Sequence, residues 1–559
     1  MRSPLAFFSL SAIALSFHCA LLSAQRPTLS IGGNFGMAGP RIQTAFLGHP
    51  DQALTLVDAG PKRKGALGVL LYSLRLLPKS LPFGPDLLEI DPGSIFLTVP
   101  SLLDSQGKSK SGFPVPAQTP KGLQFAVQAL VWAKGEAAPL RLSRAKLVRV
   151  LDSANGDLYI DGDAPVKGNG TPYLPYQTVV EGLTQVGKQG KGTLHIQPST
   201  KTYPGPISIQ TSITDLLGEN WRNLAGIKAT RPTLIGTVHI HGTATSSLQN
   251  INLRHLRILP PTKSSKVVAK CLAVTYVKNI KVEDCLFEGT SVGSSSLRGI
   301  VFGRFVQGVV SNCTIRHLNV GSKAPLTTVA AVGMVFGRAI QVTVRNCWIH
   351  DLLSTPPSSP TTFYYVAGIS AGQNQPESAQ NNLTITNNVI GPLPLKAPTG
   401  TQNRTDGDLF GILLSFGTQA SVRNNIIHGL DFSALTSQTQ QIFGISLYET
   451  GKTVELTNNI LWDFRLGKVS GSIRWNVAME GNNKTYSYKA THSCIWKVNR
   501  NFLGIISAGK VLLNQAPLLL PPLYLLKSGS PCLGTGNPLY PPKNMGIYGG
   551  TYPGKPGIQ

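Results

Sequence analysis

The chain has 559 residues, of which 58 are glycine and 40 proline; only 14% are charged, against about 25% in an average globular protein. So few charges with so many turn formers exclude coiled coils, charge-rich helical bundles and acidic disordered chains, and point to an all-β protein. Lysine and arginine (51) outnumber aspartate and glutamate (26), and the resulting +25 is spread along the chain, which favours polyanionic partners such as acidic polysaccharide or an anionic cell envelope.

The N-terminus reads as a secretory signal peptide, residues 1–24. Arg2 precedes an apolar run from Leu5 to Leu22, and Ser23-Ala24-Gln25 supplies small residues for cleavage near Ala24. A secreted or cell-surface location follows, which excludes nucleic acid as a physiological partner. No later segment matches the roughly 18 consecutive apolar residues of a membrane span. Residues 25–150 hold short apolar stretches broken by glycine and proline, such as Gly68-Val-Leu-Leu-Tyr-Ser-Leu74. They predict a small β-sandwich, an accessory domain for attachment or glycan binding.

From residue 151 to 559 the chain is dominated by a repeat. Val282-Glu-Asp-Cys-Leu-Phe287, Val310-Ser-Asn-Cys-Thr-Ile315 and Val344-Arg-Asn-Cys-Trp-Ile349 are followed by Ile385-Thr-Asn-Asn-Val-Ile390, Val422-Arg-Asn-Asn-Ile-Ile427 and Leu456-Thr-Asn-Asn-Ile-Leu461. A second motif precedes the first: Gly299-Ile-Val-Phe-Gly-Arg304, Gly333-Met-Val-Phe-Gly-Arg338, Gly368-Ile-Ser-Ala-Gly-Gln373, Gly411-Ile-Leu-Leu-Ser-Phe416 and Gly444-Ile-Ser-Leu447. One such unit cannot bury its apolar face alone. Stacked units about 4.8 Å apart pair each strand with those above and below. Asparagine is the non-glycine residue best able to take a positive φ at a tight corner, which accounts for its recurrence at Asn312, Asn346, Asn387, Asn424 and Asn458. Cysteine takes the neighbouring corner position at Cys285, Cys313, Cys347 and Cys494. Together with Cys271 and Cys532 these are read mainly as thiols packed in the coil, a cross-rung disulfide being the alternative.

Ahead of the repeat stand Asp161-Gly-Asp-Ala-Pro-Val-Lys-Gly-Asn-Gly-Thr171, Pro175-Tyr-Gln-Thr178 and Gly192-Thr-Leu-His-Ile-Gln-Pro198; behind it stand Gly529-Ser-Pro-Cys-Leu-Gly-Thr-Gly536 and Asn544-Met-Gly-Ile-Tyr-Gly-Gly550. These segments resemble the opening coil and closing segment of bacterial secreted right-handed parallel β-helix proteins of the pectate-lyase-like superfamily. The resemblance covers residues 155–552. It implies a right-handed parallel β-helix solenoid but no particular activity, because the superfamily spans lyases, hydrolases, epimerases, tailspikes and surface proteins.

Candidate site residues follow from the stacking. Gly303-Arg304 and Gly337-Arg338 occupy one repeat position, so their side chains line up on one turn, continued toward Gln373 and Lys452. Between Gly289 and His350 there is no Asp or Glu, yet Arg298, Arg304, Arg316, Lys323, Arg338 and Arg345 all lie there. Arg304, Arg338, Arg316 and Arg345 are the candidate strip for carboxylate or sulfate groups, which suit the planar guanidinium; the alternative is a solvated basic face. Tyr364 and Tyr365, in a long insertion, are candidates to stack on sugar rings, as are Trp475, Tyr486 and Tyr488; aromatic stacks buried inside the coil are the alternative.

Asp406 and Asp408, following Arg404, are candidate Ca²⁺ ligands, since oxygens at i and i+2 can share a cation; a plain loop turn is the alternative. Family lyases use Ca²⁺ on clustered acids with an Arg or Lys base. Hydrolases of the fold need paired carboxylates. Thr405-Asp406-Gly407 faintly resembles the Asn-Thr-Asp-Gly of polygalacturonases, but the partner motifs are absent, so β-elimination on a uronate polymer is the favoured enzymatic reading. His350-Asp351 and His428 follow equivalent corners and read as turn residues. The function expected is an exported protein that binds, and if an enzyme cleaves, an acidic polysaccharide. A non-catalytic structural or adhesive envelope protein is the alternative.

Overall fold

The structure, a computed structural model, describes residues 28–31, 42–46 and 55–546, except 60–63, 84–85, 112–122, 133–139, 144, 152–156, 165–167, 169, 171–174, 220–230, 264–267, 322–325, 354–360, 373–380, 396–405, 435, 449, 451–452, 483–486, 505, 510–511, 521–524, 538 and 540–544. Two compact units divide at Asp157 and Leu158.

In the first unit a sheet runs in the order Ile42–Phe46, Lys146–Leu151, Gln124–Trp132, Leu67–Ser73, Ile95–Leu102, and a three-stranded sheet holds Thr28–Ile31, Thr55–Asp58 and Lys108–Ser111. Val57 of the smaller sheet shares one core with Leu70, Tyr72, Phe125, Val127 and Val148 of the larger. Arg141 is buried with Asp86, its Nε 2.7 Å from the carboxylate, so the charge is matched where water cannot reach it.

The second unit is a parallel β-helix. Among the described residues eleven strands from Tyr203–Pro204 to Leu512–Leu513 stack into one parallel sheet, and the long strands of the glycine motif stack into another. A typical coil runs through Asp406–Ser415 and Gln419–Arg423, turns at Asn424, and continues in Ile426–His428. Asp284, Asn312, Asn346, Asn387, Asn424 and Asn458 all turn the corner with φ between 51° and 58°, as the repeat predicts. Each coil points Val, Ile and Leu inward into one continuous core.

The position after the corner residue forms a buried polar column. Cys285, Cys313 and Cys347 each donate from Sγ to a carbonyl two residues back, at 3.3 Å. The column continues as Asn388, Asn425 and Asn459, whose side-chain amides bond from rung to rung at 3.0 and 3.1 Å. It ends at Ser493, whose Oγ accepts from Asn459 N–H. Cys494 is therefore one residue past the column, in register with Ile460; it packs outside the sheet against Cys532 and Met545. All six cysteines of the described residues are free thiols.

One helix, Val179–Gln189, was not foreseen. Thr178 and Glu181 form a reciprocal capping box, and Gly190 ends it with φ +74°. Its buried Val179 and Val186 join the first coil's core beside Ile160 and Leu194, shielding apolar surface that no preceding coil covers.

Candidate functional site

The glycines of the second motif decide the shape of one outer face. A Cβ on Gly333 would lie 2.5 Å from the Gly368 carbonyl oxygen of the next coil, and one on Gly411 would lie 2.5 Å from that of Gly444. Real Cβ atoms do not approach that closely, so only glycine lets the strands bend and stack there. The bend adds one residue to the alternation of each strand. Val366 and Ile369 both face the core, while Ala367 and Ser370 face out.

Three outward rows run along the bend. One is Ser296, Ala330, Tyr365, Asp408, Gln441 and Trp475; the middle one is Arg298, Val332, Ala367, Phe410, Phe443 and Val477; the third is Val301, Val335, Ser370, Leu413, Ser446 and Glu480. The middle row lies on the outer face and yet is buried from Val332 to Val477, with Phe410 7% and Phe443 3% exposed. It forms its own apolar cluster with Tyr365, Leu413 and Trp475, separate from the coil interior. It is an apolar strip on the outer face, and Val332, Tyr365 and Leu413 at one end of it line a cavity. Phe410 and Phe443 stack at 5.6 Å, Tyr365 leans on Phe410 at 5.7 Å, and the Arg500 guanidinium sits 5.5 Å over the Trp475 ring.

Two carboxylates stand on opposite sides of this strip. Asp408 is half-buried, and burial, then the charges of Glu480 and Asp406, push its carboxyl up to about 6. Burial also raises Glu480, opposed by the Ser446 hydroxyl, which donates to Glu480 Oε2 at 2.7 Å. No cation is among the groups that shift either acid. Their strands are two spacings apart, about 10 Å along the axis. Two acids with unequal surroundings beside an apolar strip are an arrangement that general acid–base chemistry can use.

The sequence-predicted residues fall in several places. Arg304 and Arg338 are register partners on neighbouring strands, and Arg345 is exposed near the end of the same strand as Arg338. Arg316 does not join them. It lies in the other sheet, where the buried Glu288 carboxylate is held between Arg316 at 2.7 Å and Arg257 at 2.6 Å; Glu288 is just outside the acid-free stretch that suggested an unopposed strip. Tyr364 faces the core, 1% exposed, so it cannot stack on a sugar, whereas Tyr365 lines the cavity.

Asp406 and Asp408 share one strand, but Asp406 Oδ1 is occupied by the Thr439 N–H at 2.7 Å. Among the described residues no three His, Cys, Asp or Glu side chains gather as a cation would need. His350 bonds Asp351 at 2.6 Å and stacks on Trp348, and His428 stacks on Trp462, all in the other sheet. Residues 1–24, Lys323, Gln373, Arg404, Lys452 and Tyr486 lie outside the described residues.

Glu480 was missed from sequence. Its signal is a further copy of the glycine motif, Ala478-Met-Glu-Gly481, in which alanine replaces the first glycine and Met479 pairs with Ile445.

No family model matches the chain, and no curated protein matches it. Similar solved structures include pectate lyase Pel9A, with 10% identity and a TM-score of 0.32 over 60% of this chain and 80% of that one. Another is the catalytic domain of a GH87 alpha-1,3-glucanase in complex with tetrasaccharides, with 8% identity and a TM-score of 0.26 over 88% of this chain and 98% of that one. Overlaps this loose carry no argument for the chain. Its assignment as an all-β protein with a parallel β-helix rests on its own strand pairing. Among the described residues no helix is long and apolar enough to cross a membrane.

Proposed function

We propose that the chain binds an acidic polysaccharide in a groove along this apolar strip and hydrolyses a glycosidic bond between Asp408 and Glu480. The observation that carries this is the pair of half-buried carboxylates facing each other across the Phe410–Phe443 floor. Asp408, the acid raised to about 6, gives its proton to the leaving glycosidic oxygen. Glu480, held by the Ser446 hydroxyl, takes a proton from the water that attacks the anomeric carbon; the C–O bond to the leaving sugar breaks as the bond to water forms. The net charge of +25 and the adjacent Arg304 and Arg338 support an acidic polymer.

Hydrolysis replaces the elimination favoured from sequence for a physical reason. Two raised carboxyls close enough to feel each other's charge are the pairing that glycoside hydrolysis uses, and that supports hydrolysis over elimination. The test is release of reducing ends, and separately of unsaturated uronates, from a panel of acidic and neutral polysaccharides. Asp408→Asn and Glu480→Gln should each cut reducing-end release by roughly 10²- to 10⁴-fold, the usual worth of a general acid or base, with polymer binding retained. Wild-type cleavage that survives both substitutions, or a product with an unsaturated uronate, overturns the hydrolytic assignment. Binding with no cleavage at all favours the adhesive reading.

A further inference from the structure

At the end of the groove reached first along the chain, a cavity of about 460 Å³ opens between Phe363 and Tyr365 on one side and Phe416 and Tyr448 on the other. Its volume falls within the range of small-ligand pockets. Arg298 is the one charged side chain among its lining residues. We infer that Arg298 and Ser296 form a subsite for an oxyanion, a carboxylate or sulfate, carried by one sugar ring of the bound polymer. The inference rests on reading the groove as a polysaccharide site and names what that site recognises.

Arg298 is half-buried, and its Nε–H has no acceptor among the described residues. Ser296 is 7% exposed, and among those residues its buried Oγ has no partner either. Both face the same cavity. Arg141, Arg231 and Arg316 each meet a carboxylate, Asp86, Asp284 and Glu288; Arg338 shares the buried, unpartnered Nε of Arg298 but does not line the cavity. Among the described residues no carboxylate lies within ion-pair distance of Arg298. Arginine does not shed its proton to relieve such burial. A desolvated guanidinium beside an unpaired hydroxyl is costly until an anion with several acceptor oxygens arrives. The aromatic walls offer ring faces for the apolar side of a sugar, and Thr328 adds a hydroxyl at the rim. The subsite lies three strand spacings from Asp408, about 14 Å, so a charged ring held there fixes the register of the polymer against the two acids.

The experiment measures binding calorimetrically on the Glu480→Gln protein, so that no ligand is cleaved, with and without Arg298→Gln. Three oligosaccharides of equal length are compared: an oligogalacturonide, a sulfated galactan fragment and the same galactan fragment without sulfate. At least one charged ligand should bind more tightly than the neutral one. Arg298→Gln should weaken it roughly 10- to 100-fold, the worth of a charge-assisted hydrogen bond or two, and leave the neutral ligand unchanged. Whether the carboxylate or the sulfate arm collapses identifies the oxyanion. Ser296→Ala, a milder change that keeps the guanidinium in place, should shift the same ligand in the same direction and guards against misfolding of Arg298→Gln. If a ligand binds but its preference over the neutral sugar is unchanged by both substitutions, the subsite is refuted and the groove stands. If none of the three binds, and none of the panel is cleaved by wild type, the groove reading fails and takes the subsite with it.

Discussion

Replacing Asn425 by alanine tests what holds the coils in register. Its Oδ1 accepts from the backbone N–H of Asn388 at 3.1 Å and from the Asn388 amide at 3.0 Å; its Nδ2 donates to the Ile385 carbonyl at 2.9 Å and to Asn459 Oδ1 at 3.1 Å. Asn388 keeps a second acceptor for its amide in Val344, and Asn459 Oδ1 keeps the Asn425 N–H. Alanine therefore orphans one group in a fully buried column, the Asn388 N–H, while the Ile385 carbonyl stays in its strand ladder. At about 1–3 kcal/mol for an unsatisfied buried group, the loss is about 1–3 kcal/mol. Cysteine at 425 should cost less, because Cys285, Cys313 and Cys347 already fill this position with Sγ bonded to a local carbonyl. Urea unfolding followed by circular dichroism gives both values, with the exposed Lys281→Ala as control. The reasoning is refuted if Asn425→Ala shifts the midpoint no more than the control, or if cysteine is worse than alanine.

The glycine bend gives a second prediction. Gly333→Ala places a methyl 2.5 Å from the Gly368 oxygen and 2.8 Å from Ile349 Cγ2, so it should cost about 1–3 kcal/mol as over-packing and lower the thermal midpoint. Burial lowers His428 to about 4, against the opposing charge of Asp463, with His350 and Asp351 also near. As pH falls below 6.5 the unfolded chain takes up this proton before the folded one, so stability is full above 6.5 and declines toward 4 by about 3 kcal/mol. Asp408, raised to about 6, acts in the opposite direction over a similar window. The clean measurement is therefore the difference between wild type and His428→Gln. Equal pH slopes for the two between 6.5 and 4 would falsify the assignment.

Much of the fold was legible because its constraints are local. A corner that demands positive φ selects Asn or Asp, and such corners recur at Asn312, Asn346 and Asn387 as the repeat says. Cys494 was misplaced by one residue because cysteine identity was followed instead of the corner; the residue after His492, the corner with φ 48°, is Ser493. The helix at Val179–Gln189 had a readable sign in Thr178 and Glu181, overlooked amid so many strands. Tyr364 and Tyr365 are harder. Strict period two across Gly368 gives the wrong parity, since the bend inserts a residue that neither side of the alternation counts. Glu480 meets Asp408 only through the stacking of two later coils, a contact that local pattern does not encode.

The basic excess and the acidic groove fit together once distances are considered. A general acid must hold its proton at working pH, and a guanidinium beside Asp408 would stabilise its charged form and lower it. Between the strands of Asp408 and Glu480 the middle row offers Phe410, Phe443 and Val477, none of them charged, and the next residue in register, Arg500, turns its guanidinium over Trp475. A polyanionic substrate still has to be gripped somewhere. Arg298 lies three strands before Asp408, and Arg304 and Arg338 stand on those earlier coils as well. On the proposed function, separation along the solenoid would let one chain attract an anionic polymer and hold a raised carboxyl away from the arginines. A globular pocket of the same volume would force the two requirements into conflict, whereas a stacked coil meets them by placing each on a different rung.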